Sequence, residues 1–145
     1  MKRRDFINLA IAGSVAGITA PKAVFAQTQC PNMAGGLYYT KSAAGRWAKK
    51  VGGHLPYLKT AKDEQGALLQ VATSHEMKGY EHYIIKHIIL DQDFKFLDEK
   101  RFDPMQDKSP ISHFKLGNYK GIVNVLSVCN KHDTWLNTIE ITQLK

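Results

Sequence analysis

The stretch GIVNVLSVCNKHDTW, residues 121–135, is the most informative part of this sequence. Its first nine residues are rich in β-branched and apolar side chains, as a strand is, and Asn130-Lys131 then favour a reversal of the chain. Cys129 ends the strand and His132 follows in the turn. A thiol and an imidazole at a strand end are either packing residues or half of a metal site, and the rest of the chain must distinguish the two.

Five further segments have the same strand-like composition and are separated by turn-forming pairs such as Asp103-Pro104. These segments cover residues 67–73, 82–90, 94–102, 111–116 and 138–144. Only residues 42–51 look helical, and Gly45 is expected to limit that helix to a turn or two. Short strands at this spacing predict an all-β protein, an immunoglobulin-like antiparallel β-sandwich of about seven strands.

The N-terminal residues have the features of an export signal. The basic Lys2-Arg3-Arg4 is followed by an apolar run that is too short to span a membrane and ends in small residues. The arginine pair is typical of the twin-arginine route, which exports folded proteins. We therefore predict a signal peptide over residues 1–26, one domain over residues 27–145, a periplasmic location and no membrane association after signal removal.

Composition and charge limit the partners. The chain has 145 residues, 43% of them hydrophobic and 23% charged, which is typical of one soluble globular domain. Its formal net charge is +7, but without the signal it has sixteen basic and twelve acidic residues, a net +4. So small and evenly spread an excess argues against nucleic acid as a partner, although it would attract a small anion. The oligomeric state stays open, a homo-oligomer included.

The histidines differ in their surroundings. His54 follows two glycines and precedes a Leu-Pro pair, which predicts a loop. His75 and His82 are seven residues apart and would point to opposite faces of a flat strand, so a turn at Gly79 is needed to bring them together near His132. Two histidines inside predicted strands are expected to be structural: His87 and His113.

Several imidazoles with one thiolate narrow the choice of metal. Structural zinc sites usually have pairs of cysteines, blue copper sites usually have a methionine after the cysteine, and c-type haem needs its own attachment motif. None of these patterns is present around Cys129. Imidazoles with one soft axial sulfur suit iron in a square pyramid that leaves one position open. In an exported protein, a disulfide between Cys30 and Cys129 is the alternative.

Three segments carry a resemblance to a known family. GGHLP (52–56), SHEMKGYEHYI (74–84) and CNKHDTW (129–135) resemble, in this order, the iron-binding blocks of the superoxide reductases, the neelaredoxin and desulfoferrodoxin family. The resemblance covers most of the mature chain, from about residue 37 to residue 141, and implies a β-sandwich that holds one mononuclear iron, cycling between Fe²⁺ and Fe³⁺. It implies superoxide as the substrate and a separate electron donor protein as the partner. It also implies four equatorial ligands and one axial ligand: His54, His75, His82 and His132, with Cys129 as the axial thiolate.

The chain departs from the family where side chains are expected to assist catalysis. Gly52 and Gly53 stand where many relatives have a Glu-Lys pair, and an acidic residue replaces the proline after the second histidine. The resemblance then implies substitutes that attract superoxide or reach the open position. The candidates for these catalytic roles are Glu76, Lys78 and Lys131, with Lys50 as a further positive charge.

The sequence therefore predicts a superoxide reductase, which reduces superoxide by one electron to hydrogen peroxide. Backbone N–H groups after Cys129 are expected to donate hydrogen bonds to the sulfur and tune it. One alternative is a non-catalytic iron-binding module for electron transfer or sensing, which the missing Glu-Lys pair favours. Another is a sulfur-metabolism accessory protein that carries its substrate on a cysteine, which would need that cysteine on an exposed, mobile tail.

Overall fold

The computed structural model describes residues 33–142, which fold as an antiparallel β-sandwich of seven strands. The strands are β1 Tyr57–Asp63, β2 Gly66–Ala72, β3 Ile84–Leu90, β4 Phe96–Arg101, β5 Ile111–Gly117, β6 Gly121–Cys129 and β7 Thr134–Ile141. One sheet has the order β1-β2-β5 and the other β4-β3-β6-β7, and all pairings between these strands are antiparallel. The predicted immunoglobulin-like sandwich is confirmed. The predicted signal peptide and Cys30 lie outside the described residues.

The core lies between the two sheets, where alternate residues of each strand point inward. Fully or nearly fully buried side chains come from both sheets: Leu69, Val71 and Phe114 from the first, Ile89, Val123, Val125 and Ile141 from the second. Burying a side chain of this size stabilises the fold by roughly 1.5–3 kcal/mol each before conformational entropy is counted. Within the described part of the chain, no helix is long and apolar enough to cross a membrane.

The helical segment before β1 differs from the prediction. A 3-10 helix over Gly45–Lys50 leads directly into a one-turn α-helix, α1, over Val51–His54. Gly45 therefore begins the segment and does not interrupt it. Its φ is +48°, and a Cβ there would lie 2.3 Å from the carbonyl oxygen of Gly35, so only glycine fits.

The expectation that His54 lies in a loop is wrong. The N–H of Leu55 donates to the carbonyl of Val51 at 3.0 Å, which closes a helical turn with His54 as its last residue. Glycine accepts helical φ and ψ angles at an entropic cost, and the preceding 3-10 helix supplies the first turn. The backbone of the helix, and not a free loop, orients this imidazole.

One strand and the start of another were also missed. Strand β1 was not predicted because it is an edge strand whose residues are mostly exposed, which leaves little apolar alternation in its sequence. Strand β7 begins at Thr134, earlier than the predicted residue 138, because Trp135 and Leu136 are already buried in the sheet. Residues 143–145 at the predicted end of this strand lie outside the described part of the chain.

Candidate metal centre

One end of the sandwich brings together the five side chains that the sequence singled out. They come from the end of α1, the β2–β3 connection, the end of β6 and the β6–β7 turn. The five residues are His54, His75, His82, Cys129 and His132, and their ligand atoms all lie within 4.8 Å of one another. Among the described residues these are the ones that could form such a site together.

Four imidazole nitrogens form an open ring. The distance from His54 Nε2 to His132 Nδ1 is 2.9 Å, from His132 Nδ1 to His82 Nε2 is 3.0 Å, and from His82 Nε2 to His75 Nε2 is 3.0 Å. Nitrogen ligands about 2.1 Å from a first-row metal ion lie about 3 Å apart when they are at right angles. The spacing therefore fits four nitrogens around one ion.

The thiol lies beside this ring on its buried side. Cys129 Sγ is 3.8 Å from His75 Nε2 and 3.7 Å from His132 Nδ1, and the residue is only 3% exposed. The backbone N–H of Lys131 donates to the sulfur at 3.4 Å, as predicted for the residues that follow the cysteine. His75, His82 and His132 are only partly buried, so part of the site faces solvent.

The hydrogen bonds of the four imidazole rings indicate that the rings come together to bind a metal ion and not to hydrogen-bond to one another. His54 Nδ1–H donates to the carbonyl of Lys50 at 3.0 Å, which leaves Nε2 unprotonated and directed at the other nitrogens. His75 Nδ1 is buried and makes no hydrogen bond of good geometry within residues 33–142, although the backbone of Glu76 interacts with the ring and partly offsets the lowering of its pKa by burial. Its Nε2 is directed at the other imidazoles and lies 3.0 Å from His82 Nε2, as ligation through that nitrogen requires.

The imidazoles are electrostatically suited to remain neutral. Burial lowers the pKa of His54 and of His82 to about 4 each, with a smaller lowering from the neighbouring histidines. Burial also lowers the pKa of His75 and of His132. Neutral imidazoles carry the free lone pair that a metal ion requires, so the donor set is ready for a metal ion at neutral pH.

A turn brings His82 to the site. Gly79 has a φ of +54°, and Lys78 and His82 form an isolated antiparallel bridge in which Lys78 N–H donates to the His82 carbonyl at 2.9 Å. The predicted turn at Gly79 is therefore confirmed. Asn130 fastens this turn to the cysteine loop, because its Oδ1 accepts from Tyr83 N–H at 3.0 Å and its Nδ2 donates to the carbonyl of Glu81 at 3.1 Å.

The catalytic candidates are neighbours of the site histidines in the chain, and carboxylates pair with two of the lysines. Lys78 Nζ pairs with Glu76 at 2.8 Å, both side chains being mostly exposed, and Lys131 Nζ lies 3.6 Å from Glu81. The Lys78 ammonium lowers the pKa of the Glu76 carboxyl. Lys50 makes no ion pair with a described residue, and its charge adds to burial in lowering the pKa of three of the histidines: His75, His82 and His132.

The remaining cysteine and histidine predictions concern residues outside the cluster. Cys129 has a free thiol and is buried at a strand end, so it is neither in a disulfide nor on an exposed tail. His87 is fully buried between the sheets and hydrogen-bonded on both ring nitrogens, and His113 is exposed on β5. Both histidines lie apart from the five residues, as their structural assignment requires.

Three supporting residues near the centre were not found from the sequence. Asp133 follows His132 and bonds to the side chains of Arg46 and Trp47, far earlier in the chain. Trp47 packs edgewise on the His132 ring, with 4.7 Å between ring centroids. No sequence pattern marks the hydrogen bond between Trp47 and Asp133, which are 86 residues apart in the chain.

At one end of an immunoglobulin-like sandwich, the fold brings together four imidazoles and one thiol that could hold a single metal ion. No protein-family model and no curated protein sequence matches the chain. Solved structures do match its fold, and the three described in the next paragraph are superoxide reductases.

A single-site variant of the superoxide reductase (neelaredoxin) from Ignicoccus hospitalis matches with a TM-score of 0.63 and 23% identity, over 73% of this chain and 94% of that one. A superoxide reductase in the oxidised state matches with a TM-score of 0.51 and 22% identity, over 61% of this chain and 88% of that one. The 1Fe superoxide reductase of Giardia intestinalis matches with a TM-score of 0.50 and 19% identity, over 61% and 98%. At these identities the likeness shows that this chain has the fold of those proteins.

Proposed function

We propose that this protein is a superoxide reductase, an oxidoreductase that converts superoxide to hydrogen peroxide at a mononuclear iron. The observation that carries the proposal is the ring of four imidazole nitrogens at 2.9–3.0 Å spacing with Cys129 Sγ beside it on the buried side. The order of the three resembling segments and the fold of the matched superoxide reductases support it.

Iron held by these five residues would supply one electron to superoxide, which takes up two protons and leaves as hydrogen peroxide while Fe²⁺ becomes Fe³⁺. A separate electron donor protein must then return the electron. Nitrogen ligands with one sulfur also suit copper and zinc, which bind such donors more tightly than Fe²⁺ does. We therefore propose that the metal is inserted in the cytoplasm, and that the folded protein is exported to the periplasm by the twin-arginine route.

Cys129 gives the site its electron-rich side. The sulfur is buried, and the backbone N–H of Lys131 donates a hydrogen bond to it at 3.4 Å. With iron bound, a thiolate from Cys129 would raise electron density at the ion, while four neutral imidazoles would leave the net charge of the site positive enough to attract an anion. Substrate would approach from the partly exposed histidine side.

Positive side chains around the opening would attract superoxide. Lys50 has no carboxylate partner among residues 33–142, whereas Lys78 and Lys131 are each paired. We assign the main attracting charge to Lys50, a smaller share to Lys131, and the least to Lys78, which Glu76 neutralises. Glu76 remains our candidate for the carboxylate that reaches the open side.

A non-catalytic iron module for electron transfer or sensing is the second candidate. The observation that favours it is the absence of side chains at Gly52 and Gly53 in helix α1, where a Cβ on Gly52 would meet nothing within 4 Å. That space is where many relatives carry the side chains of the Glu-Lys pair, so turnover here depends on charges placed elsewhere.

The deciding experiment measures products from protein purified and reduced without oxygen. Superoxide is added in a pulse, and we expect one hydrogen peroxide for each electron lost by the protein, with no dioxygen released. Release of dioxygen, with one hydrogen peroxide for every two superoxide molecules consumed, would indicate dismutation instead. Redox cycling with an external donor but no peroxide would establish the electron-transfer module instead.

Cys129→Ser tests the sulfur. The serine hydroxyl does not ionise at neutral pH, so we expect loss of the sulfur-to-metal absorption band and less than one iron per chain. Cys30→Ser, which removes the other cysteine, is the matched control and should keep both. An unchanged band in Cys129→Ser would overturn the assigned donor set.

A further inference from the structure

Asp133 has an unusual backbone in a critical place. Its φ is +60°, a left-handed conformation that among the described non-glycine residues only Phe94 shares. Side chains disfavour this conformation, although aspartate accepts it better than most. The residue directly follows His132 and precedes β7, and its carbonyl accepts from Cys129 N–H at 2.9 Å to close the turn.

The side chain of Asp133 reaches across to the helical segment before β1. Its Oδ2 accepts from Trp47 Nε1–H at 2.8 Å and from the Arg46 guanidinium at 2.5 Å. These hydrogen bonds hold the pKa of the Asp133 carboxyl below its usual range, with the Trp47 bond as the largest cause and the Arg46 bond next. One carboxylate therefore joins two parts of the chain that supply different donors to the metal centre.

The helical segment controls His54, and the turn controls His132. Lys50, at the end of the 3-10 helix, accepts through its carbonyl the Nδ1–H of His54, which sets the direction of that ring. Trp47, one turn earlier, packs edgewise on His132. Any shift of the helix against the turn would change the 2.9 Å distance between the His54 and His132 nitrogens.

We propose that Asp133 is a positioning residue, whose carboxylate clamps the Gly45–Lys50 helix to the Cys129–His132 turn and thereby preorganises the metal-binding nitrogens. This inference rests on the metal site of the proposed function but not on turnover. The clamp acts chiefly through Trp47, since its bond is partly buried, while the Arg46 side chain is 65% exposed.

The test compares Asp133→Gly with Asp133→Asn and uses Co²⁺ as the metal probe. Glycine suits the backbone conformation but removes the clamp, and asparagine keeps both the conformation and an acceptor for Trp47. We expect Asp133→Gly to weaken Co²⁺ binding about 10- to 100-fold, the usual effect of losing a group that orients ligands. Asp133→Asn should stay within about threefold of the parent protein, which is rescue by the conservative change.

Trp47→Phe separates the two arms of the clamp. It should weaken Co²⁺ binding in the parent protein and add little in the Asp133→Gly background, because the bond it removes is already absent there. Arg46→Gln should change binding less than Trp47→Phe does. The sulfur-to-cobalt absorption band should shift in Asp133→Gly and Trp47→Phe but not in Asp133→Asn.

Thermal unfolding of the metal-free proteins distinguishes positioning from general stabilisation. Asp133→Gly should unfold close to the parent temperature, because relief of the backbone compensates for the lost bonds. Parental Co²⁺ affinity and band position in Asp133→Gly would overturn the inference, as would equal losses in Asp133→Gly and Asp133→Asn. These readouts do not involve superoxide. A parent protein that makes no peroxide would disprove the proposed function, and the Co²⁺ measurements would still decide the role of Asp133.

Discussion

Lysine side chains around the metal centre differ in whether a carboxylate neutralises them. Lys78 is held 2.8 Å from Glu76, so the pair presents little net charge to an approaching anion. Lys50 has no such partner among the described residues, and its charge acts on His75, His82 and His132 as a contribution, after burial, to their lowered pKa. Attraction of a small anion depends on the net field at the opening, so these lysines are not equivalent.

Lys50→Gln should slow the reaction with superoxide about threefold to tenfold and weaken its dependence on ionic strength, because one unpaired charge near the opening is lost. Lys95→Gln is the matched control: it removes one exposed lysine from the β3–β4 connection, at the opposite end of β3 from His82, and should change the rate less. Pulse radiolysis at several salt concentrations measures both effects. Equal rate constants in the parent protein and Lys50→Gln would remove Lys50 from the attracting charges.

At the residue level, the donor types were predictable and their supports were not. A cysteine at a strand end and histidines beside turn-forming residues are visible as local patterns, so Cys129, His75, His82 and His132 could be singled out. The Lys50 carbonyl that directs His54 and the carboxylate of Asp133 act through contacts that the fold creates. Neither contact has a sequence pattern, because a carbonyl is present at every residue and an aspartate after a histidine is common.

At the element level, the turn between His75 and His82 is the part that most directly makes the site. Strand geometry alone would send the two imidazoles to opposite faces, and the left-handed Gly79 with the Lys78–His82 bridge reverses the chain instead. Glycine is required for its φ and not for space, since a Cβ at Gly79 would meet only Met105 Sδ at 3.6 Å. The turn can therefore be tested without steric conflict.

Gly79→Ala should lower the free energy of unfolding by about 1 kcal/mol, the cost of placing an L-residue in the left-handed region. Gly52→Ala is the matched control, because Gly52 is in helix α1 with nothing within 4 Å of a new Cβ, so it should raise the stability by up to about 1 kcal/mol. Urea unfolding of the metal-free proteins measures both values. Effects of the same sign in the two variants would contradict the role given to Gly79.

Secondary structure was predictable where burial leaves a periodic pattern. The buried strands β2, β3, β5 and β6 were found close to their observed bounds, because their inward residues alternate. Edge strand β1 lacks this alternation, and α1 contains two adjacent glycines, a composition that normally predicts a loop. Pairing with β2 forms strand β1, and the preceding 3-10 helix supplies the first turn for α1, and neither contact is visible in the local sequence.

At the scale of the whole molecule, a buried polar network joins the two sheets. His87 on β3 lies 2.9 Å from Thr73 Oγ1 through Nε2 and 2.8 Å from Ser112 Oγ through Nδ1. Thr73 Oγ1 is in turn 2.9 Å from Ser127 Oγ on β6. All four side chains are buried, so the hydrogen bonds form without competition from water and favour one register of sheet on sheet.

This network makes the sandwich sensitive to acid. Burial lowers the pKa of His87 to about 4, against 6.5 in an exposed histidine. The unfolded chain therefore takes up a proton below pH 6.5 that the folded protein does not accept until about pH 4. The contribution of neutral His87 to the free energy of unfolding is fully present above pH 6.5. It decreases by about 3 kcal/mol as the pH falls toward 4.

His87→Gln should make the free energy of unfolding depend less on pH between 6.5 and 4, because glutamine can hydrogen-bond to the same hydroxyls but does not titrate. At pH 7 the variant should be less stable than the parent protein, since its amide fits the two hydroxyls less well, and the difference should narrow or reverse near pH 4.5. The metal-binding histidines titrate in both proteins, so the parent-minus-variant difference in unfolding free energy isolates His87. His113→Gln, which removes an exposed histidine from β5, is the matched control in the same urea titrations. A parent-minus-variant difference that stays constant from pH 7 to pH 4.5 would mean that His87 takes up its proton equally in both states, and the buried network would then not be the source of acid sensitivity.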